Sequence, residues 1–200
     1  PFWCGGDNIS WWDAWFIAVS GLTTTGAEVL RDPQILPKSL LFYRMYLQFL
    51  GGLGVVVMAA VWWPDWFAHA GRNVDLPGSG PWDRSLAPRM SQSLRIIWLG
   101  YLLLWVSCVL GCYALSLTWF EAVCESFAMV STGGFGLYAD NIGHYHSPGL
   151  NILVMVVVLL SSIGFGLHYT AIHNNSLAVY LRSREFCCYV LTLLLAATGY

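Results

Sequence analysis

The chain has 200 residues, 57% of them apolar, 16% aromatic and only 10% charged, with a mean hydropathy of +0.60, whereas soluble domains carry about 25% charged residues. Such a composition belongs to an integral membrane protein, and a net charge of −2 excludes the basic field that a nucleic-acid binder needs. The six cysteines have neither zinc-ligand spacing nor the framework of a secreted disulfide-stapled domain.

The first predicted element is a helix from Trp11 to about Leu22, capped by Ser10 with Asp13 three residues on, the pattern of a capping box. At about 18 Å it is too short to cross a bilayer, and it ends in Thr24-Thr25-Gly26. Pro33 and Pro37 precede a full span from Leu40 to Trp63, which carries Gly51-Gly52-Leu53-Gly54 at its middle. A turn-rich stretch follows, with Pro64, Pro77, Pro81 and Pro88, then a second span from Leu94 to Leu117. Thr118 with Glu121 repeats the cap and opens another short helix that ends in Thr132-Gly133-Gly134. Pro148 precedes a third span from Leu150 to about Ile172, and a further apolar run starts at Phe186. The chain starts at Pro1, without an initiator methionine, and the last run breaks off at Tyr200; the expectation is a piece of a longer protein.

Ser10 and Thr118, Asp13 and Glu121, and Gly26 and Gly134 are each 108 positions apart. A cap, a half-length helix, a Thr-x-Gly bend and a full span thus occur twice in the same register. A short helix that enters a membrane and returns through a bend is tolerated only where the bend is buried in protein or lines water. Its C-terminal end carries about half a negative charge, and a glycine bend can turn carbonyl oxygens toward a cation in place of its hydration shell. Thr24, Thr25, Gly26, Thr132, Gly133 and Gly134 are therefore the candidate cation ligands. Arg72, Arg84 and Arg89 fall between the first two spans with Arg95 at the start of the second, and Arg182 and Arg184 follow the third, whereas Thr118 to Gly149 has no Lys or Arg but carries Glu121, Glu125 and Asp140. The positive-inside rule puts the arginine loops in the cytoplasm and both bends toward the outside, with acids around the mouth.

Ser20-Gly21-Leu22-Thr23-Thr24-Thr25-Gly26-Ala27 and Ser131-Thr132-Gly133-Gly134-Phe135 resemble the first two filters of the TrkH/TrkG group of bacterial potassium uptake proteins, relatives of the KtrB subunits. Leu36 to Arg44, Gly51 to Val57, Ala87 to Met90, Gly166 to Tyr169 and Arg182 to Phe186 resemble the family's connecting segments. The resemblance implies an all-α, multi-pass protein of the bacterial inner membrane, with four helix–pore loop–helix repeats around a pseudo-fourfold pore. On that plan residues 1–63 are the first repeat without its first helix, 64–93 a cytoplasmic loop, 94–172 the second repeat, 173–185 a second loop and 186–200 the start of the third repeat. It implies K⁺ held by the six bend residues, no cofactor, a homodimer, and a TrkA-like nucleotide-binding regulatory subunit on the cytoplasmic face. Gly164, where the family pattern has a polar residue, and Ser183-Arg184, where it has Asp-Pro, depart from it.

Two alternatives stay open: a sodium-dependent Ktr-type subunit, and a metal-dependent membrane enzyme built on His144 and His146. No nucleophile–base pair, phosphate-binding glycine loop or metalloprotease spacing supports the enzyme. For the His144-Tyr145-His146 pair the solvated reading is favoured, because no third ligand is in view. His168 and His173 fit carbonyl capping at a helix end, and Cys108 and Cys112, one turn apart in a span, fit inert packing. Arg44, one turn from Gln48, fits snorkelling or a pair with Glu28 or Asp32. Trp3, Trp11, Trp12, Trp15, Trp62, Trp63, Trp66, Trp82 and Trp119 gather near span ends as an aromatic belt would.

Overall fold

The computed structural model describes residues 1–5, 9–62, 86–164, 167–168, 171 and 178–198. Pro64, Pro77, Pro81, most of the 64–93 loop and His173 lie outside them. All regular structure among the described residues is helical: α1 (Phe2–Gly5), α2 (Trp11–Leu22), a 3₁₀ turn (Pro33–Ile35), α3 (Lys38–Trp62), α4 (Leu86–Ala114), α5 (Trp119–Val130), a second 3₁₀ turn (Asn141–Tyr145), α6 (Pro148–Ser162), α7 (Ala178–Arg182) and α8 (Arg184–Thr198).

The chain divides into two compact units. The first, Pro1–Trp63 with Tyr101–Ser162, holds both half-length helices, α3 and α6. The second, Pro64–Gly100 with Ile163–Tyr200, holds α7 and α8, and there His168 Nδ1 lies 2.8 Å from Tyr180 Oη.

Within the first unit the two short helices have the same length, 12 residues each. Their caps differ. Thr118 and Glu121 form the full reciprocal box, while Ser10 Oγ accepts only from the Trp12 amide, one residue earlier than a box requires. Asp13 thus contributes through its charge in the first turn, where the helix dipole favours an acid.

At 25 residues α3 is about 38 Å long, enough to cross a hydrocarbon core. In α4 the stretch Ile97–Ala114 has a mean hydropathy of 1.8 over 18 residues. The third span is interrupted: α6 closes at Ser162, Ile163 and Gly164 lie outside helical geometry, and Leu167, His168 and Ala171 are helical again. Ser162 Oγ bonds back to Val158 O at 2.8 Å, and a hydroxyl competing for backbone groups next to a glycine weakens further helix.

An aromatic cluster packs α3, α4 and α5 together. Phe127 of α5 lies 4.8 Å from Phe49 and stacks on Trp105 at 5.2 Å, while the Tyr101 hydroxyl donates to Phe49 O at 3.2 Å. Cys108, Cys112 and Cys124 are buried in the same region, with Cys108 Sγ 3.6 Å from Met129 Sδ, which is the packing role expected of them. Trp3, Trp11, Trp12, Trp15 and Trp119 are all exposed, the disposition an interfacial belt needs; Trp63, Trp66 and Trp82 lie outside the described residues.

Adjacent glycines on α3 receive the ends of both half-length helices. A Cβ on Gly51 would overlap the carbonyl of Leu22, the last residue of α2. On Gly52 it would fall 3.2 Å from Cβ of Ser131, which caps α5, and 2.7 Å from the Tyr101 hydroxyl. Close backbone approach is the use small residues have between membrane helices, and here it fixes the ends of α2 and α5 against one helix.

Candidate ion filter and its supports

Both short helices end in the same hydrogen-bonded turn. Thr24 N donates to Gly21 O and Thr25 N to Ser20 O, both at 3.0 Å; Thr132 N donates to Met129 O at 3.2 Å and Gly133 N to Ala128 O at 2.9 Å. This is the Schellman pattern, which normally places glycine at its left-handed position. Here that position is Thr24 in one repeat and Thr132 in the other, each with φ 53°. A β-branched residue in the left-handed region costs of order 1–3 kcal/mol and persists only where the surroundings impose it. Gly26 and Gly134 follow at φ 67° and 79°, where glycine carries no such cost. The duplication thus extends from spacing to backbone angles.

The two bends touch. A Cβ on Gly26 would overlap the carbonyl of Gly133 and come within 3.1 Å of Gly134 Cα. Just outside them lies a pocket of about 100 Å³ lined by Gly26, Gly134, Glu28, Arg31, Tyr138 and Asn141. All six candidate ligands therefore lie in one region, on the two bends that meet at Gly26 and Gly133.

Supports around the bends differ between the repeats. In the first, Thr23 Oγ1 donates to Val19 O at 2.8 Å and pairs with Thr25 Oγ1 at 2.8 Å, and Ser20 Oγ donates to Ala27 O at 2.9 Å. In the second, Gln48 Nε2 donates to Gly133 O at 2.7 Å and Asn141 Nδ2 to Gly134 O at 3.0 Å. Thr132 Oγ1 donates to the neighbouring Ser131 O at 2.7 Å, so this hydroxyl braces its own turn.

Arg44 does not snorkel. Its side chain is fully buried, paired with Glu28 and 3.9 Å from the centre of the Phe135 ring, the residue after the second bend. Arg44 Nε and Nη1 find no acceptor, and the face of Phe135 supplies the cation–π contact in their place. Removing Glu28, itself about a third exposed, leaves this buried charge without its ion-pair partner. Glu28→Ala is expected to lower stability in detergent by roughly 2 kcal/mol, and Arg44→Met combined with Glu28→Gln by less. A thermal melt of the three proteins checks the order, and equal losses would refute the buried-charge account.

Of the acids expected around the mouth, Glu121, Glu125 and Asp140, none is among the residues lining the pocket, although Asp140 is exposed. Glu28 and Tyr138 line the pocket, whereas Glu125 is only 1% exposed and sits behind the second bend, where its Oε1 accepts from Leu137 N at 3.1 Å and Tyr145 Oη at 3.3 Å. Two turns of an amphipathic half-length helix bring residue 125 to the inner face, so Glu125 fastens the outer loop instead of facing water. Glu121 fastens the same loop through Tyr138 Oη at 2.6 Å. Partial burial disfavours its charge, yet hydrogen bonds from Thr118 and Tyr138 hold the Glu121 carboxyl below the usual carboxylate range. The same bond, with burial, pushes the Tyr138 phenol up to about 12. His144 stacks on Tyr138 at 3.7 Å and His146 ends the 3₁₀ turn in a left-handed conformation, so the two histidines have separate structural roles in that loop.

Gln48, noted in the sequence only as the neighbour of Arg44, holds a carbonyl of the second bend. An amide in the middle of an apolar span, one turn from Arg44, is a signal that it has a buried partner, but nothing in the sequence says that the partner lies 85 residues away.

A family model described as TrkH, a cation transport protein, matches residues 2–196. The Trk system potassium uptake protein TrkH of Escherichia coli K12 is 36% identical over 186 residues, 92% of this chain and 38% of the relative. TrkG of the same strain is 34% identical over 194 residues, 96% of this chain and 40% of the relative. The crystal structure of the potassium transporter TrkH from Vibrio parahaemolyticus superposes with a TM-score of 0.77 at 32% identity, over 94% of this chain and 37% of that one. The chain spans about two-fifths of the length of these relatives.

Proposed function

The chain belongs to the TrkH family of cation transport proteins, a family of membrane proteins, and on that premise we propose that it forms part of a potassium-conducting subunit of a Trk-type uptake system. Its relatives are ion transporters by name, and none of those named above is an enzyme. In this reading Thr24, Thr25 and Gly26 of one repeat and Thr132, Gly133 and Gly134 of the other present main-chain oxygens to a dehydrated K⁺ ion in the outer half of the bacterial inner membrane. The observation that carries it is the contact between the two bends, each made by a short helix that ends in the same left-handed threonine.

The ion is favoured there for two reasons. Both half-length helices point their negative ends at the bends, and carbonyls held in place by packing replace water without reorganising. Four such repeats around one axis, a dimer of subunits, and a nucleotide-binding regulatory partner of TrkA type on the cytoplasmic face complete the proposed assembly.

The test uses the full-length transporter in cells that depend on it for potassium. Gly26→Ser and Gly134→Ser are each expected to lower K⁺ affinity and K⁺ over Na⁺ discrimination, measured by ion uptake at matched membrane abundance. Unchanged kinetics in both would end the pore reading. Uptake that requires Na⁺ would move the assignment to a Ktr-type subunit.

A further inference from the structure

The two bends differ at one position that duplication leaves unexplained: where the first has Thr25, the second has Gly133. Unlike Gly26 and Gly134, Gly133 is not left-handed, so its backbone does not demand glycine. The space does. A Cβ on Gly133 would lie 2.5 Å from Cδ of Gln48 and 2.7 Å from both of its terminal amide atoms.

Gln48 sits on α3, the long helix of the first repeat, and is fully buried. Its Nε2 donates to Gly133 O at 2.7 Å while its Oε1 has no partner, so this bond is what offsets the burial of the amide. The oxygen it holds is the same one that would meet a side chain at Gly26. A continuous path therefore runs from α3 through the Gly133 carbonyl to the first bend. Among the described residues no hydrogen bond is made to the carbonyls of Thr24, Thr25 or Gly26, so the amide support belongs to the second bend.

We propose that Gln48 is a positioning residue for ion selectivity: its amide fixes the direction of the Gly133 carbonyl from the first repeat's helix, and a side chain at residue 133 would displace that amide from its bond. The proposal rests on the pore reading given above. Each carbonyl oxygen has two lone pairs, so a bond to Gln48 leaves one for an ion while removing the freedom of the peptide to rotate.

Three variants of the full-length transporter test it. Gln48→Met keeps the side-chain volume and removes the donor; it is expected to lower K⁺ over Na⁺ discrimination about fivefold, the scale of one lost hydrogen bond, at unchanged membrane abundance. Gly133→Ala is expected to lose abundance and discrimination together. In Gln48→Ala with Gly133→Ala the space is restored, so abundance is expected to recover while discrimination does not. Wild-type discrimination in Gln48→Met, or full tolerance of Gly133→Ala beside native Gln48, overturns the proposal. If Gln48→Met fails to insert, the pair decides: a double variant no more abundant than Gly133→Ala alone also overturns it. Gly26→Ser and Gly134→Ser in the same assay separate the two readings, because loss of selectivity there with none in Gln48→Met removes this inference alone.

Discussion

Gly26→Ala in the full-length transporter is expected to abolish selective K⁺ uptake, while Gly134→Ala leaves uptake reduced but measurable. Both positions are left-handed, at φ 67° and 79°, so alanine carries a backbone cost of roughly 1–2 kcal/mol at each. They part on space. No atom lies within 4 Å of a Cβ added to Gly134, whereas a Cβ on Gly26 overlaps the carbonyl of Gly133. That carbonyl cannot easily yield, because Gln48 holds it at 2.7 Å. Relief must come from separating the two bends, which displaces the oxygens that would bind the ion. An added penalty of about 3 kcal/mol in the conducting geometry corresponds to roughly a hundredfold loss of rate. Uptake measured over a range of K⁺ concentrations, normalised to protein in the membrane, reads the difference. If Gly134→Ala proves the more damaging, the packing of the two bends is not what limits conduction.

The second large effect concerns α3. Gly51→Ala is expected to destabilise the protein by about 3 kcal/mol, a scale set by overpacking against a backbone that cannot change rotamer. The overlapping atom is the carbonyl oxygen of Leu22, at the end of α2, so either the helix or the first bend must move. Gly54→Ala is the control: nothing lies within 4 Å of its Cβ, and alanine is favoured over glycine in a helix by about 1 kcal/mol. Gly52→Ala falls between them, since the Tyr101 hydroxyl can swing aside but only by giving up its bond to Phe49 O. Melting temperatures in detergent should follow Gly54→Ala, Gly52→Ala, Gly51→Ala from highest to lowest. A Gly51→Ala protein as stable as Gly54→Ala would show that α2 does not end against α3.

Much of this arrangement is legible before any coordinates. The short helices begin and end where their caps and bends place them, at Trp11–Leu22 and Trp119–Val130, because capping residues and Thr-x-Gly turns act within a few positions. The left-handed glycines are equally local. Other readings failed for lack of a partner. Glu125 has the charge of a mouth residue, and only its helix face and the returning loop make it a brace. For Arg44 the pair with Glu28 is legible in the charges, whereas its burial against Phe135, from the other repeat, is not. The break after Ser162 is not legible, because the apolar run continues past it and hydropathy does not register a local interruption of the backbone.

Sequence alone determined what is set by neighbours along the chain: a membrane composition, two capped half-length helices, two bends that require glycine, and the register between them. Tertiary structure decided which carbonyl meets which amide, which glycine faces a backbone and which faces open space, and which acid is buried. Caps and turns are fixed by bonds spanning a few residues, whereas the Gln48 to Gly133 bond joins positions 85 residues apart. Such a pairing exists only once α3 has brought the ends of α2 and α5 to neighbouring glycines of one helix.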